Sequence, residues 1–395
     1  MHANCNICDL QFNAGQYGAM GRRIAPISLL SACRCSLAVR FRSAPNNLCI
    51  AKLEKPNNWM ATCRHRPPLI TAWRFTVFRR SLFLVLLMPL LLPAAFAQAF
   101  PARPMTMVVP FPPGGSVDTV ARRIAQAMGT ALGQPMVVEN RAGAGGTIGA
   151  GHVAKSAPDG YTLMFATSSA LAVSPALYRN LPYDPLKSFV AVSEITRGPF
   201  VLSVRTESPV RSAMQFIELA RKDPGKLNYG SAGQGSAHHL AMETLKRAAA
   251  IEVVHVPYKG GAPAWTGLMG GEIDGLFDSM PGPLLYPGRV RPLAVTGPNR
   301  LKRLPDVPTF AELGVKGVDS VFFFGVVAPA GTPPDVVQRL NQAVHQAMAD
   351  PEVRQAFDSQ SLDQSAGTPQ QFGELLAQEV PRFRELVQQV GLKIE

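Results

Sequence analysis

From residue 105 onward, short β-branched or apolar runs alternate with longer helical patterns, and small-residue loops join them. The first five segments predict strands over 105–111, 136–139 and 161–166 and helices over 117–132 and 147–156. An order of this kind predicts parallel strands, because each helix carries the chain back across the sheet before the next strand begins. The chain is therefore expected to form an α/β fold.

A second series of segments begins near Phe200. It predicts strands over 201–204, 227–229, 252–256, 275–277, 292–295 and 321–328, and helices over 212–222, 237–249, 333–349 and 369–390. The last two helices have no new sheet to cover, so we expect them to return to the first series. The prediction is a pair of lobes, each a mostly parallel sheet flanked by helices, with two chain crossings and a cleft between them.

The formal net charge of +12 would normally suggest nucleic acid or an acidic membrane surface as a partner. Residues 1–99 hold 12 of the 39 basic residues and only two acids, whereas residues 100–395 hold 27 basic and 25 acidic residues. The main body is thus nearly neutral, and no nucleic-acid partner is expected. All six cysteines also precede residue 100, so the body is expected to have neither a disulfide nor a thiolate metal site.

A secretory signal is predicted immediately before this body. Basic residues from Arg74 to Arg80 precede an apolar run over 82–92, and small residues follow it. The run is shorter than the roughly 20 residues of a membrane span. We therefore expect export, with cleavage near Ala97 or Ala99, and we suspect Met60 as the true translation start.

Two glycine-rich loops follow the first two predicted strands. Loop 110–118 either offers free backbone N–H groups at a helix N-terminus as an anion site, or is a capped turn with Ser116 or Asp118 as N-cap. In the second loop, the glycines from Gly143 to Gly149 are spaced G-x-G-x-x-x-G, one residue away from the dinucleotide fingerprint. That spacing favours tight strand-to-helix packing or backbone contact with a small ligand over a nucleotide.

Hydroxyl-bearing residues follow two further strands. Residues 167–169 (TSS) come after the third strand, at the strand end where open α/β sheets bind ligands. Residues 229–236 (YGSAGQGS) repeat the strand, loop and helix N-terminus in the second series. Two such loops that face each other can pinch a carboxylate.

A catalytic role fits these residues less well than the binding of a carboxylate. Ser231 lacks a nucleophile-elbow motif because Tyr229, not glycine, stands two positions before it. His239 and Glu243 share a helical face, but there is no H-E-x-x-H motif, so neither a metal nor a cofactor is expected. We predict that the chain is not an enzyme. The alternative is a secreted hydrolase or lyase of a small organic acid, with His239 and Asp278 as acid and base.

Several longer motifs occur together in a fixed order. They are MVVPFPPGGSVDTVAR at 107–122, VENRAGAGGTIGA at 138–150, PDGYTL at 158–163, LPYDP at 181–185, GKLNYGSAGQGS at 225–236, HVPYKG at 255–260, LPDVPT at 304–309 and APAGTP at 328–333. With these motifs the chain resembles the Bug family, the extracytoplasmic substrate-binding receptors of tripartite tricarboxylate transporters. The resemblance covers nearly all of residues 101–395.

The resemblance implies a two-lobed, type II-like periplasmic binding protein that binds a small carboxylate or related organic acid. It further implies a monomer that delivers this ligand to a two-subunit membrane permease. A ligand-loaded partner of a membrane sensor shares the fold and stays an alternative. The expected division is 1–73 as an upstream segment absent from the mature protein, 74–99 as the signal peptide, 100–198 with 321–395 as lobe I, and 199–320 as lobe II.

The same resemblance, carried over position by position, implies a set of ligand contacts made largely by backbone amides and hydroxyls. The implied contacts are Phe111, Gly114, Gly115, Ser116, Asp118, Thr167 and Ser169 from lobe I, and Ser231, Ser236, His239, Tyr258 and Asp278 from lobe II. Asp278 either recognises a ligand amine or is a buried, hydrogen-bonded carboxylate.

Overall fold

The computed structural model describes residues 38–42, 48–52, 100–280 and 282–392. The chain divides into two compact units, Met1–Leu92 and Pro93–Glu395. In the first unit, strands β1 (Ala38–Arg42) and β2 (Leu48–Lys52) pair antiparallel. The expected signal peptide, its cleavage positions and the suspected start at Met60 lie outside the described residues.

The second unit contains the strands and helices that form the main body. Its strands are β3 (Met105–Val109), β4 (Met136–Asn140), β5 (Thr162–Thr167), β6 (Phe189–Pro199), β7 (Val201–Arg205), β8 (Asn228–Ser231), β9 (Val254–Pro257), β10 (Gly275–Asp278), β11 (Val290–Val295) and β12 (Val321–Pro329). Its α-helices are α1 (Ser116–Leu132), α2 (Thr147–Ala154), α3 (Ser174–Leu177), α4 (Ala213–Lys222), α5 (Ala237–Ala249), α6 (Gly261–Gly270), α7 (Gly282–Leu285), α8 (Pro334–Ala349), α9 (Pro351–Ser359) and α10 (Pro369–Val390).

The first of its two sheets has the strand order β4-β3-β5-β12-β6. Strand β3 pairs parallel with both β4 and β5, which confirms the parallel arrangement predicted for the first three strands. Strand β12 pairs antiparallel with β5 and β6, so four strands run in one direction and β12 runs in the other. The chain thus returns to this sheet after it has built the second one.

The second sheet repeats this design, with the order β11-β7-β10-β8-β9. Strand β8 pairs parallel with β9 and β10, and β7 runs antiparallel to both of its neighbours. Helices pack on both sheets. The predicted fold class, two α/β halves with mostly parallel sheets, is therefore confirmed. We call the first sheet with its helices lobe I and the second lobe II; the residue numbers given above for their boundaries stay predictions.

Five helices and strands of the main body are not indicated by the sequence pattern, namely β6, α3, α6, α7 and α9. The reasons are clearest for β6 and α6. In β6 two buried side chains are polar: Ser193 Oγ donates to the Gly367 carbonyl oxygen at 3.1 Å, and Thr196 Oγ1 donates to that of Asp363 at 2.6 Å. Residues 192–196 are buried without a break, so this strand does not alternate between apolar buried and polar exposed positions. Helix α6 (GAPAWTGLMG) contains three glycines and a proline, which lower its helix propensity, and it is stabilised by packing against β8 and β10.

Helix α10 shows how the apolar period places the last helices on lobe I. It begins with a capping box in which Thr368 accepts from the Gln371 amide and the Gln371 side chain accepts from the Thr368 amide. Its buried residues recur at helical spacing and pack over β6: Phe372, Leu375, Leu376, Val380, Phe383 and Val387.

In the described part of the chain, no helix has the length and apolar character that a membrane span needs.

Candidate functional site

A cavity of about 510 Å³ lies where loops of the two lobes meet. Its lining residues are Phe111, Pro112, Ala142, Gly143, Ala144, Gly145, Gly146, Tyr178, Ala232, Gly233, Gln234, Tyr258 and Lys259. Four of the contributing loops lead into the N-termini of α1, α2, α5 and α6, where backbone N–H groups lack intrahelical partners. Lys259, which is exposed, provides the one formal charge among these lining residues. The cavity therefore has a positive electrostatic character and no acidic lining.

The loop between β3 and α1 contributes Phe111 and Pro112 to this cavity. The N-cap of α1 is Gly115, which corrects the alternative that made Ser116 or Asp118 the cap. Asp118 Oδ2 instead accepts from the Gly114 amide and from Arg122 Nε, both at 2.9 Å, and its Oδ1 accepts from the Asn140 side chain at 2.7 Å. Burial raises the pKa of Asp118, but these hydrogen bonds and the Arg122 charge lower it below its ordinary value. Asp118 is therefore ionised, and its carboxylate holds the loop in place.

Gly114, Gly115 and Ser116 lie against lobe II rather than on the cavity wall. A methyl group on Gly115 would lie 3.5 Å from the amide nitrogen of Ala262, at the start of α6. Ser116 is buried, and its Oγ lies 3.3 Å from the hydroxyl of Ser279, which follows β10. The first glycine loop therefore packs directly on the N-terminus of α6.

Asp278 is fully buried at the end of β10. Trp265 Nε1 donates to its Oδ2 at 2.9 Å, and the Met280 amide and the Ser279 hydroxyl lie 3.1 and 3.2 Å from its Oδ1. Burial by itself raises the pKa of Asp278, but the His238 imidazole, the Met280 amide and the Ser116 hydroxyl lower it below its ordinary value. The group is a buried, hydrogen-bonded carboxylate, as one of the two interpretations of the sequence has it.

Ser169 joins the two lobes through a hydrogen bond. Its Oγ accepts from the Ala237 amide at 2.9 Å, in the first turn of α5. Ser236 caps the same helix, because its Oγ accepts from the His239 amide at 3.3 Å. Thr167 is buried, and its Oγ1 accepts from the Ala170 amide at 3.2 Å.

Ser231 and His239 lie beneath the loop that lines lobe II's side of the cavity. Ser231 Oγ is 2.7 Å from His255 Nε2, and the rings of His239 and His255 stack with their centroids 3.8 Å apart. Burial and the Lys246 charge lower the pKa of His239 to about 4. Burial, above all, and the neighbouring His239 and Lys246 lower that of His255 to about 3. Tyr258 borders the cavity, but its hydroxyl donates to Glu272 at 3.0 Å.

Among the sequence-predicted contacts, the structure brings Phe111 and Tyr258 to the cavity, and it uses the others in hydrogen bonds or packing around it. Their contact with a ligand stays a prediction. Lys259 and Tyr178 also line the cavity, although the sequence predicts no ligand contact for them. Loop 142–146 lines it too, a position compatible with the predicted alternative of backbone contact with a small ligand. For Lys259 the signal was present, since it belongs to the HVPYKG motif at 255–260. No group of three potential metal ligands occurs in the part of the chain that the structure describes.

Gly149, in α2, shows why the second loop is rich in glycine. A methyl group at this position would lie 2.9 Å from the Arg141 carbonyl oxygen and 3.0 Å from the Pro110 Cα, and neither backbone atom can move aside. We expect Gly149→Ala to lower the free energy of unfolding by about 1 to 2 kcal/mol, since overpacking outweighs the gain in helix propensity. Urea denaturation measures this.

Gly270→Ala is the matched control, because Gly270 ends α6 and no atom lies within 4 Å of a methyl group there. It should leave the stability unchanged or raise it slightly. Equal effects of the two substitutions would contradict the packing role of Gly149.

Comparison with known proteins agrees with this architecture. Residues 120–392 match the model of the tripartite tricarboxylate transporter family receptor. The protein BugT of Bordetella pertussis is 38% identical over 76% of this chain and 93% of its own length. The chain belongs to this receptor family. The expected resemblance to Bug receptors is thereby confirmed.

Solved structures of the receptor family share the fold. The periplasmic binding protein BugD superposes with a TM-score of 0.71 at 34% identity, covering 75% of this chain and all of BugD. Rpa4515 of R. palustris, solved with adipate, superposes with a TM-score of 0.71 at 37% identity, covering 74% of this chain and 99% of its own. Receptors of this family are periplasmic solute-binding proteins and not enzymes, which confirms the prediction that this chain is not an enzyme.

Proposed function

We propose that this receptor binds a small carboxylate in the inter-lobe cavity and delivers it to the two-subunit permease of a tripartite transporter. The cavity carries this proposal: its wall contains Lys259 and the loops before four helix N-termini, and its lining includes no acidic side chain. The adipate in the Rpa4515 structure, a relative, supports a carboxylate as the ligand class.

Hydrogen bonds and the helix termini can supply the binding energy. A hydrogen bond to a charged group contributes about 1.5 to 3 kcal/mol, and a helix N-terminus adds about 0.3 to 1 kcal/mol. Four or five such donors supply roughly 8 kcal/mol, which corresponds to a dissociation constant near 1 μM if the loops are already ordered. Four or five free amides in the cavity wall are therefore sufficient for a useful affinity; the Gly114, Ala237 and His239 amides are bonded within the protein and are not among them.

Thermal unfolding of the secreted protein against a panel of acids tests the ligand class. The panel contains mono-, di- and tricarboxylates, acidic amino acids and aromatic acids, and adipamide serves as the uncharged match of adipate. At a ligand concentration of about 100 Kd we expect at least one acid to raise the Tm by about 5 °C, and its amide not to do so. If no acid stabilises the protein, or if the amide does so equally, the carboxylate assignment is wrong.

Lys259→Ala is expected to weaken binding of the stabilising acid about 5- to 10-fold. The ammonium group lines the cavity and favours an anion there, although its exposure to solvent limits the effect. Calorimetric titration at low and high salt measures this loss, which should shrink as salt is added. Lys316→Ala removes the same charge from an exposed position outside the cavity lining and should leave affinity unchanged.

Delivery to the permease and export are tested in cells. Uptake of the labelled acid should be lost on deletion of the receptor gene and restored by the intact gene.

We also propose that the mature protein is a monomer and that it begins near residue 98 or 100. Mass spectrometry of the secreted form determines this N-terminus. A mature N-terminus well before residue 98 would contradict the proposed signal peptide.

A further inference from the structure

Loop 231–236 forms the wall of the cavity on the lobe II side, through residues 232–234. Gly233 and Gly235 have φ values of +123° and +74°, a region that favours glycine. A backbone built on such glycines is flexible when nothing holds it, and ordering it on binding would weaken affinity. The contacts that hold this loop therefore bear on binding.

His255 holds the loop through Ser231. Ser231 is fully buried, and its Oγ lies 2.7 Å from His255 Nε2. The same hydroxyl is 3.1 Å from both the amide nitrogen and the carbonyl oxygen of Gly233. His255 thus fixes a side chain that bonds to both backbone groups of Gly233.

His239 holds the other end of the loop. The Gly235 amide donates to His239 Nδ1 at 3.3 Å, so this nitrogen carries no proton. The proton of the neutral ring is then on Nε2, which lies 4.0 Å from Glu243 Oε1. A proton added to Nδ1 would remove the acceptor of the Gly235 amide.

The two imidazoles support each other. Their rings stack at an interplanar angle of 16°, and Tyr229 stacks on His255 with centroids 4.8 Å apart. The Tyr229 hydroxyl donates to Glu243 at 2.6 Å, and Lys246 Nζ lies 3.0 Å from the same carboxylate. Burial lowers the pKa of both histidines, so both rings are neutral at pH 7. Three stacked rings therefore form a rigid support below the flexible loop.

We infer that the stacked pair His239–His255 positions cavity wall 232–234, and that it sets ligand affinity in this way without touching the ligand. The inference rests on the proposed function, because it assumes that the cavity binds the carboxylate. It assigns His239 a different role from the direct contact that the family resemblance implies. His255 is not among those implied contacts.

Paired substitutions separate this role from general stability. His239→Asn keeps an acceptor near Nδ1 and His239→Leu removes it; His255→Gln keeps a polar atom near Nε2 and His255→Phe keeps only the stacking. We expect the Leu and Phe variants to bind the stabilising acid about 10-fold more weakly, and the Asn and Gln variants to recover most of that loss. His345→Leu, on the exposed face of α8, is the control. Equal affinity in all variants would overturn the inference.

Amide hydrogen exchange gives a readout that needs no ligand. The Gly233 and Gly235 amides should exchange at least about 10-fold faster in the Leu and Phe variants, while the amides of α8 keep their rates. If wild-type protein binds no acid on the panel, the proposed function fails, and this measurement still decides whether the histidines hold the loop. Unchanged exchange at both glycines would overturn the positioning role even when acids bind.

The tautomer of His239 provides an independent spectroscopic signature. Long-range ¹H–¹⁵N spectra at pH 7 should show His239 neutral, protonated on Nε2 and unprotonated on Nδ1. A proton on Nδ1 would contradict the hydrogen bond from the Gly235 amide and, with it, the inference.

Discussion

Replacing Asp278 by alanine is expected to lower the free energy of unfolding by about 3 to 5 kcal/mol, the cost of breaking a buried charged network. The side chain is fully buried, and its removal leaves Trp265 Nε1 and the Met280 amide without their acceptor. It also removes the carboxylate that lies 3.7 Å from His238 Nε2. Urea denaturation followed by Trp fluorescence and circular dichroism measures this loss.

Two companion variants make the result specific. Asp278→Asn keeps one acceptor oxygen, for Trp265, but replaces the oxygen that accepts from the Met280 amide by an NH2 group, and it should lose about half as much stability. Asp306→Ala removes an exposed carboxylate and should change stability by less than about 0.5 kcal/mol. A loss below about 1 kcal/mol for Asp278→Ala would mean that the network does not stabilise the fold.

Acidification from pH 7 to pH 5 is expected to lower the free energy of unfolding by about 2 to 3 kcal/mol through His239 and His255. Their pKa values are about 4 and about 3 in the folded protein and near the ordinary 6.5 in the unfolded chain. At a pH between the folded and the unfolded pKa values, the unfolded chain binds more protons than the folded protein. The stability that is present above pH 6.5 is therefore lost as the pH falls. The expected loss in the free energy of unfolding is smaller than the two pKa shifts alone would give, because His255 is partly exposed to solvent.

The groups around the pair explain the direction of the shift. Burial is the largest cause and disfavours a charge on either ring; Lys246 adds to it, His239 also disfavours a charge on His255, and Glu243 opposes the shift of His255 only in part. Urea denaturation at intervals of half a pH unit measures the slope. The double variant His239→Asn/His255→Gln should flatten it, whereas His345→Gln should not. An unchanged slope in the double variant would show that other groups cause the acid sensitivity.

Much of the fold was predictable because apolar periodicity is a local property. Short windows show the apolar runs of single strands and helices, and the alternating order of these elements predicts the parallel pairing of β3 with β4 and β5. The return of α10 to lobe I follows because no new sheet is left for it to cover. Strand β6 is not predicted from the sequence, because its buried Ser193 and Thr196 bond to carbonyl groups that lie 174 and 167 residues further along the chain. A buried polar residue cannot be distinguished from an exposed one until its partner is known.

The candidate site divides in the same way. Residue type and order are sufficient to predict the glycine loops, the helix N-termini after them and the nearly neutral body. The direction in which each side chain faces is set by the packed fold: Lys259 lines the cavity, Asp278 is enclosed by Trp265 and Met280, and His239 stacks on His255. The physical reason is that orientation depends on partners distant along the chain, such as Ser116 and Ser279, which are 163 residues apart and come together only when the lobes pack.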